Sequence, residues 1–96
     1  MADTQLDALG DANRRRILRL LADGGRSVQE IADALPISRP AVSRHLRLLR
    51  DSGLVAEERQ GTRRVHRLHD HGARLVRDYL VDLWGLDGGQ VLGPSV

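Results

Sequence analysis

The sequence predicts a mostly α-helical domain of five helices, with one small β-hairpin set between the fourth and the fifth. Three observations predict it. Apolar residues recur at helical spacing in four stretches between positions 11 and 86, after a short leading segment. Gly10, Gly24-Gly25, Pro36 and Gly53 separate those stretches, and each is a residue type that ends a helix or cannot continue one. From Leu54 to Leu68 the pattern changes to two short runs around Gln60-Gly61-Thr62, the mark of a hairpin. A chain of 96 residues supports one core of modest size, so residues 1–86 are assigned to a single domain.

Each element follows from local chemistry. The first nine residues form a short helix presenting Leu6 and Leu9, broken by Gly10, and Asp11 caps a second helix from about Asp11 to Ala22. In that helix Ile17, Leu20 and Leu21 share a face, with Arg15 and Arg19 roughly opposite. Ser27, followed three residues on by Glu30, is a capping box opening a third helix. Its Val28, Ile31, Ala32 and Leu35 fall at i, i+3, i+4 and i+7, a core-facing stripe that Pro36 ends. Ser38 caps a fourth helix running to about Ser52, and Pro40 lies in its first turn, where a missing amide hydrogen costs little. Val42, Leu46 and Leu49 take one side of it, while Arg39, Pro40, Ser43, Arg44, Arg47 and Arg50 take the other. Leu54 to Arg59 and Arg63 to Leu68 are the two strands. The last helix, about Asp70 to Leu86, carries Leu75, Val76, Tyr79, Leu80, Leu83 and Trp84 over nearly half its circumference, more than one core needs. Residues 87–96 lack periodicity and are read as a disordered tail.

Composition excludes several classes. With no cysteine, disulfides, thiolate metal sites and cysteine nucleophiles are ruled out. No apolar run approaches the roughly 20 residues of a membrane span, and the start Met-Ala-Asp-Thr-Gln lacks signal-peptide order, so a cytoplasmic protein with no membrane partner is expected. All fifteen basic residues are arginine, and their placement is uneven. Ile37 to Arg67 holds eight arginines against Asp51, Glu57 and Glu58, a net +5, whereas the rest of the chain carries −3. A positive segment inside a nearly balanced chain is a footprint for a polyanion.

Two short helices joined by a tight turn, the second basic on its outer face and followed by a basic hairpin, make a winged helix-turn-helix of order α1-α2-α3-α4-β1-β2-α5. A major groove admits one α-helix. Ser38, Arg39, Pro40, Ser43, Arg44 and Arg47 are therefore candidates for contact with base edges and phosphates, and arginine suits because its fork matches both acceptors of guanine. Arg59, Arg63 and Arg64 at the hairpin tip are candidates for the adjacent backbone or minor groove. Leu6, Leu9, Leu75, Tyr79, Leu80, Leu83 and Trp84 form a surface that a monomer would leave wet, and a homodimer through the first and last helices is expected. Two-fold symmetry then calls for an inverted-repeat operator on double-stranded DNA, its half-sites about 34 Å apart.

The runs Leu-Gly-Asp-Ala-Asn-Arg-Arg-Arg-Ile-Leu at 9 to 18, Ser-Arg-Pro-Ala-Val-Ser-Arg-His-Leu at 38 to 46, Gly-Leu-Val at 53 to 55 and Gly-Thr-Arg-Arg-Val-His-Arg-Leu at 61 to 68 resemble the ArsR/SmtB family of bacterial winged-helix regulators. The resemblance covers about residues 6 to 84. It implies dimerisation through the first and last helices, a recognition helix at 38 to 52, and repression of a promoter that an effector relieves. Members with oxygen and nitrogen ligands on the last helix use an Asp-x-His and a second His eleven residues on. In register, this chain offers Asp70, but Gly72 and Leu83 where those histidines would be. Only a one-residue shift brings His69, His71 and Asp82 to similar spacing, so they stand as candidates in a chain for which no metal and no cofactor is expected. His66 is placed on the wing, His69 and Asp70 at the start of the last helix, and His45 beside the Val42 and Leu46 stripe in a packing or phosphate-contacting role.

An enzyme is not expected. His66, His69, Asp70 and His71 have the wrong spacing for a metallo-hydrolase, and no glycine loop with lysine cradles phosphate. Alternatives to a repressor are an activator or effector-independent regulator of the same fold, or a winged helix used only for protein contacts. The effector, a small molecule or a partner protein, is not encoded in any motif.

Overall fold

The computed structural model describes residues 2–86; the tail read at 87–96 lies outside them. The order is α1 (Asp3–Leu9), α2 (Ala12–Leu21), α3 (Val28–Ala34), α4 (Arg39–Asp51), β1 (Val55–Gln60), β2 (Arg63–Leu68) and α5 (Asp70–Trp84). This is the order the sequence predicts, with small shifts at the ends. β1 starts and ends one residue later than expected, because Gln60 pairs with Arg63 and leaves Gly61-Thr62 as a two-residue turn. Gly61 has φ +65°, the left-handed conformation such a turn demands. α5 stops at Trp84, two residues short of expectation, because Gly85 takes φ +68° as its cap.

The caps form as the side chains dictate. The Asp11 carboxylate accepts from the amides of Asn13 and Arg14 at 2.9 and 3.0 Å. Ser27 and Glu30 close the capping box in both directions, at 3.1 and 2.9 Å. The Ser38 hydroxyl accepts from the Ala41 amide at 3.3 Å. Four orphan donors begin every helix, and these side chains satisfy several of them for α2, α3 and α4.

Ile17 and Leu21 of α2, Ile31 of α3, Val42, Leu46 and Leu49 of α4, and Leu54 and Val55 form one buried cluster with Ala8 of α1. The inner face of α1 is Gln5 and Ala8, while Leu6 and Leu9, expected at a dimer surface, are half-buried. Gln5 is held there: its Nε2 donates 2.9 Å to the Ser52 carbonyl at the end of α4, a bond that a leucine could not make. α5 contributes least to the core. Gly72 alone is buried among its residues, and Leu83 and Trp84 are 60% and 66% exposed.

α5 seats on the end of α4 through backbone rather than side chains. The Gly72 amide donates to the Gly53 carbonyl at 2.8 Å, and the His69 amide to the Leu54 carbonyl at 3.0 Å. A Cβ on Gly72 would lie 2.3 Å from the Ser52 carbonyl oxygen, so only glycine fits. The hairpin is anchored on its other side by a two-way backbone bridge between Arg26 and His66, at 3.0 and 2.7 Å.

Candidate nucleic-acid interface

The candidate recognition surface is the outer side of α4. Because Val42, Leu46 and Leu49 are fully buried, the helix cannot rotate, and its opposite face must look outward. Ser38, Arg39, Pro40, Ser43, Arg44 and Arg47 are all exposed there. Ser38 spends its hydroxyl on the cap, and Arg39 donates to the Gln29 side chain at 3.0 Å. Arg44 and Arg47 make no hydrogen bond or ion pair among the described residues, and neither does Arg59 on β1. Two uncompensated guanidiniums one turn apart on an exposed helix face form a local positive field.

Arg50, expected on this outward face, turns aside. It is half-buried, and its Nη1 lies 3.1 Å from His66 Nε2. His66, expected on the wing, is on β2 but 2% exposed, facing inward beneath it. A guanidinium can only donate, so Nε2 accepts and the proton sits on Nδ1, which has no hydrogen-bond partner among the described residues. Glu57 Oε2 lies 4.0 Å from the same ring. Burial holds the His66 pKa below its usual 6.5, against the pull of Glu57 and with the help of Arg50.

That shift has a sign. Below pH 6.5 the unfolded chain takes up a proton that folded His66 resists, so its stabilising contribution is full above 6.5 and is lost as pH falls through the lowered folded value. Thermal unfolding from pH 8 to 5 is expected to show stability declining on the acid side, with a shallower decline in His66→Gln. Equal acid slopes in the two proteins would assign the effect to other groups.

The arginines of β2, unlike Arg59, are not bare. Arg63 donates to Glu30 on α3 at 2.6 Å, Arg64 pairs with Glu57 at 3.8 Å, and Arg67 pairs with Glu58. Sequence reasoning found Glu30 as a cap and missed this second use, since residues 33 apart leave no local signal. His45 packs as expected, its Nδ1 3.4 Å from Arg14 Nη1. Arg14 in turn donates to the Ala8 and Asp7 carbonyls at 2.7 and 3.2 Å, tying α1 and α2 to the back of α4.

Within one protomer the candidates His69, His71 and Asp82 are not brought together. His69 and His71 stack with ring centroids 6.2 Å apart, but Asp82 lies eleven residues further along the helix, about 16 Å away. Among the described residues no three potential ligands come together. The Asp70 carboxylate is held by Arg74 at 2.9 and 3.1 Å, which also lowers its pKa. Gly72, where the resemblance would place a ligating histidine, admits no side chain at all.

Of the seven apolar residues expected at a dimer surface, five lie along α5 and two on α1. Leu75, Tyr79 and Leu80 are half-buried, Leu83 and Trp84 exposed, and Leu6 and Leu9 are half-buried on α1.

Comparisons with known proteins agree with this geometry. A family profile described as "Helix-turn-helix domain" matches residues 9–58. The chain is 44% identical over 82 residues to the HTH-type transcriptional regulator Rv2034 of Mycobacterium tuberculosis, covering 85% of this chain and 77% of that one. It is 41% identical over 74 residues to the HTH-type transcriptional repressor SmtB of the same species, covering 76% of this chain and 55% of that repressor's length. The solution structure of the homodimeric winged helix-turn-helix DNA-binding domain of Mb0332 from Mycobacterium bovis, a possible ArsR-family regulator, is similar at a TM-score of 0.65 and 34% identity, covering 90% of this chain and 82% of that one. With a bare arginine face on α4, a wing beside it and these likenesses across most of its length, the chain belongs to the ArsR/SmtB family of winged helix-turn-helix, DNA-binding transcriptional regulators.

Proposed function

We propose that the protein is a homodimeric, cytoplasmic repressor that binds an inverted-repeat operator and acts by occupancy rather than by catalysis. The observation that carries the reading is the exposed face of Ser43, Arg44 and Arg47, positioned by a fully buried opposite face and flanked by Arg59 on the wing. Bases are read by the helix and phosphates are neutralised by the flanking cations. Dimerisation uses Leu6 and Leu9 of α1 with the apolar arc of α5, a self-complementary patch suited to two-fold pairing. Among relatives, SmtB carries the name of a repressor and Mb0332 is homodimeric, which supports both halves of the reading.

Selection of bound duplexes from a random pool tests it. Enrichment of an inverted repeat with half-site centres about 34 Å apart is expected. Enrichment of a single unrepeated site would remove the dimeric operator, and a reporter driven from the selected site distinguishes repression from activation.

Helix and wing differ in what their loss should do. Arg44→Ala is expected to cost about 1–3 kcal/mol and to relax preference at one base pair. Arg59→Ala is expected to weaken all sequences alike and to reduce the salt slope by about one. Finding the two variants indistinguishable across a panel of operator variants would overturn this division.

A further inference from the structure

We propose that Glu30 restrains Arg63 in the DNA-free protein and competes with DNA phosphate for it, so that an acid on the helix-turn-helix sets how much the wing adds to affinity. The inference rests on the DNA-binding reading above. Its basis is a contrast within one surface: on α4, Arg44 and Arg47 stand free among the described residues, while on β2 Arg63, Arg64 and Arg67 each carry an acid.

The Glu30 pair differs from the other two. Glu57 and Glu58 lie on β1, beside the arginines they hold on the same hairpin, whereas Glu30 reaches from α3 to the tip of the wing. One oxygen does two jobs. Glu30 Oε1 accepts the Ser27 amide at 2.9 Å as part of the capping box and the Arg63 guanidinium at 2.6 Å. The Ser27 backbone hydrogen bond, with the Arg63 charge adding to it, keeps this carboxyl below its usual pKa, so it is ionised at neutral pH. The cap fixes where the carboxylate stands, and the carboxylate then fixes where the wing tip rests. Both members are half exposed, so the pair is weak enough to open when a phosphate approaches.

Exchange explains the expected signature. When Arg63 leaves Glu30 for a phosphate, a DNA counterion is released but the freed carboxylate attracts a cation, so the net release is smaller than the wing's charge implies. Glu30→Gln removes the competitor while keeping an amide that can close the capping box.

The test is a four-protein cycle: wild type, Glu30→Gln, Arg63→Ala and the double variant, titrated by fluorescence anisotropy against a random-sequence 30-base-pair duplex over a salt series. Because the restraint is independent of base sequence, no operator is required. Glu30→Gln is expected to bind roughly three- to ten-fold tighter than wild type, with a salt slope steeper by up to about one. In the Arg63→Ala background the same substitution is expected to change affinity less than two-fold. Equal gains in both backgrounds would reduce Glu30 to a general repulsive charge and overturn the restraint, as would no gain in either. Failure of the wild type to bind the duplex at low salt would instead remove the DNA-binding reading itself.

Discussion

Leu80→Glu is expected to yield a folded monomer that has lost high-affinity operator binding. Leu80 is half-buried on α5, on the same arc as Tyr79, Leu83 and Trp84, and that helix contributes only Gly72 to the protomer's buried residues. No apolar residue of α5 belongs to the fully buried cluster of the protomer. Against a partner subunit, a glutamate there would be an unpaired buried carboxylate, a cost of several kcal/mol. Separation of the subunits avoids that cost, and the cluster around Ile17, Leu46 and Leu49 is untouched by it. Sedimentation should report a monomer, with helical content near that of the wild type. Operator binding falls because each half-site provides only part of the contact energy, and the dimer joins two at high effective concentration. A Leu80→Glu protein that stays dimeric would place the interface elsewhere. One that is monomeric yet binds the full operator as tightly as wild type would remove the symmetric mechanism.

Gly72→Ala is expected to destabilise the fold by roughly 2–4 kcal/mol, against the usual preference of helices for alanine over glycine. Helix propensity alone would make the change favourable by about 1 kcal/mol. Packing decides the sign. The new Cβ would sit 2.3 Å from the Ser52 carbonyl oxygen and 3.0 Å from the Gly53 carbonyl carbon, both backbone atoms that cannot swing away. Relief requires α5 to lift from α4, which also loses the 2.8 Å bond from the Gly72 amide to Gly53. For a domain of this size the loss corresponds to a fall in Tm on the order of 10–20 °C. Gly61→Ala is the control: its added Cβ meets nothing within 4 Å, and only the φ of +65° opposes it. Gly72→Ala melting at or above wild type would contradict the seating of α5 described above.

How much of this was legible in the sequence depended on range. Caps act over three residues, so Asp11, the Ser27 and Glu30 box, and Ser38 marked the starts of α2, α3 and α4 correctly. Periodicity placed Val42, Leu46 and Leu49 in the core, and with them the exposed serine and arginines of the outer face. Contacts between distant segments left no such trace. Gln5 looks like a surface residue until the Ser52 carbonyl is brought beside it, 47 positions away. Arg50 falls on the outward side of a helical wheel, yet His66, sixteen residues on, draws it inward. Arg63 reads as a free phosphate ligand because the acid that holds it belongs to another element. Gly72 shows the reverse case. Resemblance marked it as a missing histidine, and only the approach of Ser52 explains why no histidine could stand there.

The α4 face and the wing are proposed to bind duplex DNA chiefly by neutralising phosphate. The decisive measurement is titration of the dimer with its selected inverted repeat from about 50 to 200 mM salt. Log affinity is expected to fall linearly with log salt, at a slope near −0.9 for each phosphate contacted. An isotherm indifferent to salt would contradict it.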